Sequence, residues 1–458
     1  MDITTEHPEY RAGTSTWQRY SDLYAGGEQL KRRAEYYLAP RAKEPPDIYA
    51  ERLSKVFYEN YIGSIIDWYG ATLFRREPTI VLEQTDDKTR AYYADFVENC
   101  DLHGTTLAQT LRRQFITALI YGRSYLLIDF PASGEQPKTR ADEESRGLSN
   151  AYLVSYDPRD LINWSRSVDG SLEWVVLRQR AGARSTSIDE APQQETRYLY
   201  YDRTSYRIYS QPEGQRAPIL VSSGTHGLAR EECVPILELG ISDGLWLMNK
   251  SALLQVEHLN KSNALAWAIS MGLFSMPVIY SDREWKQILG ESYYIQLNPH
   301  DRFGWTEPEG KVYQIASDNL ARLKEEIYRV CYLVQQARPV SGSGSLQSGL
   351  SKQQDLYVTH EVLRSYGDMI KDFAKILLRK IQKARGDKIL IDVQGMDDFD
   401  ISDFAADLAD AETLLRMNVP STTLRKTIYK KIASKYLCDI RQDIKDQINH
   451  EIDKAILQ

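Results

Sequence analysis

Cysteine is scarce and scattered: Cys100, Cys233, Cys331 and Cys438 are the only four in 458 residues. They form neither a CxxC pair nor a metal-ligand spacing, which argues against a disulfide framework and a zinc site and leaves them as small buried hydrophobes of a cytosolic chain. The opening MDITTEHPEYRAG has no basic stretch followed by an apolar one, so no secretory signal is expected. Excess positive charge is missing too. With 57 Lys and Arg against 64 Asp and Glu the net charge is −7, which is not the footprint of a tight nucleic-acid binder. It is compatible with a protein past which nucleic acid slides without sticking. What is present, 42% hydrophobic and 26% charged residues, suffices for two or three packed domains.

Catalytic patterns are also lacking. His103, His258, His300 and His360 stand singly, without HExxH or paired zinc spacing, and are read as surface or satisfied core histidines. No GxSxG and no nucleophile–base pattern occurs, so no enzymatic activity, metal or cofactor is expected. GSLQSGLSK resembles a phosphate-binding loop, but Leu350 stands where the Lys before Ser351 belongs, and helix rather than strand precedes it. A nucleotide-dependent enzyme using Lys352 is therefore set aside. The acidic residues Asp397, Asp398, Asp400 and Asp403 lack the glycine and terminal Glu of a calcium loop, and are read as favouring the dipole of a helix capped by Ser402. Thirty tyrosines and eight tryptophans lie among apolar neighbours and are assigned to packing rather than base stacking.

Periodicity gives an α+β chain, predominantly helical. Helical runs over 56–74 and 107–122 each lead into a short strand, TIVL at 79–82 and SYLLIDF at 124–130. After a polar loop at 131–150 come strand signals AYLVSY, LEWVVLRQ, RYLYYD, YRIYS, PILVS and VPILELG, with a second polar loop at 180–195. Ser251 to Ser275 reads as one helix rich in small residues, which let helix backbones approach closely. Within it and just beyond, Ser262 to Ser281 carries no charge for twenty residues. It is read as a helix buried between subunits, with a membrane span as the alternative. A compact insert at 276–316 containing strand-like SYYIQL precedes a helix over 317–336 with Leu320, Leu323, Ile327, Val330 and Val334 on one face. Together these make a two-helix stalk. A Gly/Ser stretch then leads into a helix from Ser351, capped with Gln354 and about 50 Å long, that ends near Gly386. A strand, KILIDV, and helices over 402–417 and 421–457 finish the chain.

This order of elements resembles the portal protein of tailed bacteriophages, over roughly residues 50 to 440. ALIYGRSYLLIDFP, VPILELG before the first stalk helix, SGSGSLQSGLSKQQDL and the ending NVPSTTLRKTIYKKI each resemble the corresponding portal text. The chain departs from that text at Asn418 and Val419, where portals often carry a Gly, and in the loops at 131–150 and 180–195. The resemblance implies an N-terminal arm at 1–50, a wing at 51–240, and a stem of two helices at 241–275 and 317–336. It further implies a clip at 276–316, a tunnel loop at 337–350, a long wing helix at 351–386 and a crown at 387–458.

The resemblance also implies a homo-oligomer, a dodecameric ring at one capsid vertex of the virion, made in the host bacterial cytoplasm. Double-stranded DNA would enter and leave through it without sequence-specific contacts. Implied partners are the terminase large subunit, major capsid and scaffold proteins, and the tail adaptor. The tunnel loop would place Arg338, Ser341, Gly342, Ser343, Gly344, Ser345, Gln347, Ser348, Gly349 and Lys352 toward DNA. The clip would dock terminase or adaptor through Arg283, Trp285, Lys286, His300, Arg302 and Trp305. Physical reasoning agrees: Gly and Ser allow many backbone conformations at little steric cost, and a wall without net positive charge avoids tight phosphate binding.

Overall fold

The computed structural model describes residues 2–83, 85–131, 139, 142, 145–184, 193–273, 276–280, 300, 302–306, 310–333, 349–396, 404–417, 419–436, 440 and 442–455. Helices α1 (Pro8–Ala25), α2 (Gly27–Lys31), α3 (Pro46–Ser54) and α4 (Tyr61–Leu73) open the chain. Then come β1 (Thr79–Glu83), α5 (Asp87–Glu98), α6 (Leu107–Tyr121), β2 (Arg123–Asp129), β3 (Tyr152–Tyr156), β4 (Leu161–Arg166) and β5 (Leu172–Arg184). Strands β6 (Gln193–Asp202), β7 (Ser205–Pro212), β8 (Ile219–Thr225) and β9 (Ile236–Gly240) precede α7 (Leu247–Leu273). The rest is β10 (Met276–Tyr280), β11 (Arg302–Thr306), α8 (Gly310–Val330), α9 (Gly349–Arg385), β12 (Leu390–Gln394), α10 (Phe404–Arg416), α11 (Thr422–Tyr436) and α12 (Gln442–Ala455). The class is α+β with helix in the majority. The chain forms two compact units, Met1–Ser21 with Ser64–Asn249 and Ser345–Gln458, and Asp22–Gly63 with Lys250–Gly344.

In the first unit, β4 to β8 make a five-stranded antiparallel meander, and β3–β2–β9 a three-stranded antiparallel sheet. Alternation puts Val175, Leu177, Leu199 and Tyr201 into one buried cluster with Leu127, Tyr156 and Ile236 of the smaller sheet. The β4 edge is covered by the first residues of the chain: His7 N–H donates to Ile162 O (2.8 Å), Asn163 Nδ2 donates to Thr5 O (2.9 Å), and the His7 ring stacks on Trp164 at 4.1 Å. An open edge offers unpaired backbone groups to other chains, and this segment removes that exposure on one side of the sheet.

Helix α6 starts at a capping box, Thr106 with Gln109, and stops at Gly122 (φ 82°), against which the Trp246 ring packs. Helix α9 carries the stripe Leu363, Tyr366, Ile370, Phe373, Leu377 and Ile381 into the core, where Tyr366 meets Tyr69 and Phe115 edge-on. Its C-terminal end is pinned by a buried ion pair: Arg385 Nε lies 2.8 Å from Asp387 Oδ2, with the guanidinium 3.4 Å from the centre of the Tyr92 ring on α5. Strand β12 then pairs antiparallel with β1.

Several sequence expectations are corrected. The first stalk helix runs over 247–273, and residues 276–280, inside the alternative membrane span 262–281, form a strand; among the described residues no helix is long and apolar enough to cross a membrane. The second stalk helix spans 310–330 rather than 317–336, because Tyr332 takes a left-handed conformation that stops it (φ 63°). Helix α9 begins at Gly349, before the expected cap at Ser351. The loop expected at 180–195 is shorter, with β5 and β6 reaching Arg184 and Gln193. The final helix is two, α11 and α12, held side by side by Asp453, which takes Lys430 at 2.8 Å and Lys426 at 3.8 Å. The expected strand SYYIQL and the acidic residues 397–403 lie outside the described residues.

Gly367 on α9 marks a close approach: a Cβ there would sit 2.1 Å from the Met396 carbonyl oxygen, a backbone atom that cannot swing away. Gly367→Ala is expected to destabilise this unit by about 3 kcal/mol, the upper end of overpacking costs. Gly240→Ala, with open space around its Cβ, is expected to stay within about 0.5 kcal/mol. Denaturant unfolding of both variants checks this, and equal midpoints would show that the approach is not tight.

Candidate functional site

The stalk is an antiparallel helical hairpin in the second unit. Its two limbs stay in step from root to tip. At the root Lys250 Nζ lies 2.6 Å from the Tyr332 hydroxyl and the Ser251 hydroxyl meets the Cys331 thiol. Midway Lys261 Nζ lies 2.9 Å from Asn319 Oδ1, and higher up Tyr313 Oη donates to Ala268 O at 3.2 Å. Eighteen residues separate Lys250 from Ala268, about 27 Å of helix. Beyond them β10 and β11 pair antiparallel from Met276↔Thr306 to Tyr280↔Arg302, so the ladder continues the same register.

Helix α7 has few charges because its polar side chains serve another segment. Asn263 Nδ2 donates to Phe57 O (2.9 Å) and its Oδ1 accepts from Phe57 N–H (3.1 Å). Asn260 donates to Tyr37 O (2.8 Å) and accepts from Ala39 N–H (2.8 Å). Gln255 donates to Glu59 O (2.8 Å) and accepts from Ile62 N–H (3.3 Å). Three amides thus satisfy three backbone donors and three backbone acceptors of this segment. The same segment is fixed by Asp22, fully buried, which accepts from Arg33 Nε (2.7 Å), Tyr37 Oη (2.5 Å) and Gln29 Nε2 (3.0 Å). Burial and the Asp22 charge hold the Tyr37 phenol well above its ordinary pKa. Arg52 and Glu44 form a second buried pair at 2.6 Å. The resemblance assigns residues 22–63 only to the later part of an N-terminal arm and the start of the wing; the signal for this docking is the set of amides Gln255, Asn260 and Asn263 in α7.

Of the expected clip residues, His300 is exposed in a turn, Arg302 is exposed on β11 opposite Tyr280, and Trp305 sits on β11 opposite Pro277. Arg283, Trp285 and Lys286 lie outside the described residues. Of the expected tunnel-loop residues, Gly349 and Lys352 fall in the first turn of α9, while Arg338, Ser341, Gly342, Ser343, Gly344, Ser345, Gln347 and Ser348 lie outside the described residues. Among the single histidines, His103 is exposed, His360 half-buried and His258 buried.

His258 sits on α7 with Nε2 3.5 Å from Glu59 Oε2, its ring edge-on to Tyr61 at 5.0 Å, while the Lys324 ammonium lies 5.5 Å from the Tyr61 ring centre. Burial pushes the His258 pKa below the ordinary histidine value, with Glu59 opposing and Lys324 adding to the shift. The unfolded chain therefore takes up the proton first. Stability is whole above about pH 6.5 and falls as pH drops through that value. The melting temperature is expected to fall between pH 7.5 and 5.5, and to fall less in His258→Leu (both pH values bracketing roughly the ordinary histidine pKa). An equal fall would show that His258 does not titrate there.

No family model matches the chain, and no curated protein matches it significantly. Among solved structures it is similar to a chain from the neck of an empty gene transfer agent particle computed with C6 symmetry, at 11% identity and TM-score 0.45, covering 85% of this chain and 95% of that one. A chain from the virion of the native particle has 12% identity and TM-score 0.42, covering 85% and 94%. A chain from the native neck computed with C12 symmetry has 11% identity and TM-score 0.40, with the same coverage as the virion chain, 85% and 94%.

Proposed function

We propose that the protein is the portal of a tailed phage: a ring of copies, twelve by the resemblance, at one capsid vertex of the virion, through which double-stranded DNA enters and leaves. The observation that carries this reading is the in-step hairpin, two helices bearing a small β pair at their far end. Chain order supports it, since a Gly/Ser stretch and the 37-residue helix α9 follow the hairpin. In this reading α7 and α8 are the stem, residues around β10 and β11 the clip that docks the terminase large subunit and later the tail adaptor, and residues 337–350 the tunnel loop. The major capsid and scaffold proteins would hold the ring at the vertex. The chain performs no chemistry of its own.

A single copy leaves apolar surface on the hairpin uncovered. Leu253, Ile269, Val312 and Ile315 are exposed, and the small-residue stretch of α7 from Ala264 to Ala268 is only half-buried. Neighbouring copies in the ring would cover these side chains, which supplies a hydrophobic reason for assembly.

Native mass spectrometry of the purified chain, without detergent, tests the reading: the expected species has twelve times 52.7 kDa, or one subunit more or fewer. A chain that stays monomeric even with scaffold and capsid protein present would overturn it. The loop assignment has its own test. Deleting Ser341 to Gly349 is expected to leave ring mass unchanged and to cut DNA packaging sharply, and normal packaging would reduce the segment to a connector.

A further inference from the structure

Helix α8 ends in a complete Schellman motif with the wrong residue in it. Leu333 N–H reaches back to Tyr328 O (2.9 Å) and Tyr332 N–H to Arg329 O (3.1 Å), the two bonds that define the motif. The position between them requires a left-handed conformation, where glycine is the ordinary occupant, yet here it holds tyrosine at φ 63°. Nothing in the local sequence favours that conformation for an aromatic residue. The compensation comes from the opposite limb. Lys250 Nζ donates to Tyr332 Oη at 2.6 Å and lies 4.6 Å from the ring centre, while the preceding Cys331, fully buried, meets the Ser251 hydroxyl and the following Leu333 is buried.

We propose that Lys250 and Tyr332 form a latch that holds this strained turn at the C-terminal end of α8. Lys250 is then a positioning residue. What the latch positions is the end of α8, from Cys331 to Leu333. The latch rests on the geometry alone; its consequence for DNA rests on the portal reading.

Tyrosine rather than glycine makes sense on these terms. Glycine would adopt the turn unaided, whatever the opposite limb does, whereas tyrosine holds it only while its hydroxyl is held. A residue of this kind couples the end of α8 to the root of α7, because release of the phenol removes the support for the turn.

The experiment is hydrogen exchange by mass spectrometry on the full chain, reading the Tyr332 and Leu333 amides. In Lys250→Met and in Tyr332→Phe, exchange at these two amides is expected to rise at least tenfold, with amides in the middle of α7 unchanged. In the double variant Lys250→Met with Tyr332→Gly, protection is expected to return, since glycine needs no latch. Wild-type protection in both single variants would overturn the latch. A double variant as unprotected as Lys250→Met would overturn the strain argument that underlies it. If wild-type rings form and package DNA, Lys250→Met rings are expected to assemble and to package more slowly; if no ring forms in the wild type, the portal reading falls while the exchange result still decides the latch.

Discussion

An extended chain laid against a helix has no ladder to complete, and every peptide group it buries needs a partner from elsewhere. That constraint governs the second unit. Gln255, Asn260 and Asn263 answer it by presenting a donor and an acceptor each, to the connecting residues Tyr37, Ala39, Phe57 and Glu59 and to Ile62 in the first turn of α4. With these amides committed there, α7 meets α8 through Lys250 and Lys261 and runs through small and apolar residues from Ala264 to Ala268. The Asp22 cluster and the Arg52–Glu44 pair fix the other end of the same segment through charges that are satisfied rather than solvated.

Much of this was legible in the sequence because the period was long and the breakers were clear. The stripe Leu363 to Ile381 named α9, Gly122 closed α6, and alternation in RYLYYD and YRIYS marked adjoining strands that pair as β6 and β7. The unread elements had mixed signals. LINWSR, which forms β4, interrupts its apolar run with Asn163 and Ser165, whose roles appear only when Thr5 and Glu173 are placed beside them. DKTRAYYADFVE, which forms α5, reads as polar until the Asp86 cap and the buried Tyr93 and Phe96 are seen together. Boundaries failed for a related reason: the end of α8 is set by a tertiary contact at Tyr332, and no propensity scale assigns an aromatic residue to a left-handed cap.

The candidate site was legible in outline but not in its anchoring. Order and composition brought out the stalk, and Asn263 was visible as a polar residue in an apolar helix. What could not be read was that its amide is bidentate to a single residue, Phe57, more than two hundred positions earlier. Long-range polar pairing leaves no periodic trace, since each amide answers one backbone group rather than a repeating face.

The covering of β4 by residues 5–7 has a consequence in time as well as in space. These residues leave the ribosome well ahead of the strand they bind, which begins at Leu161 and at about 5–20 residues per second emerges roughly 8–30 s later. The opening segment must therefore wait, unpaired, for its partner, and a nascent chain halted before β4 has nowhere to put it. Whatever shields residues 5–7 during that interval, solvent or a chaperone, is replaced only when the meander arrives, so this segment is placed after about 150 residues that were made later than it.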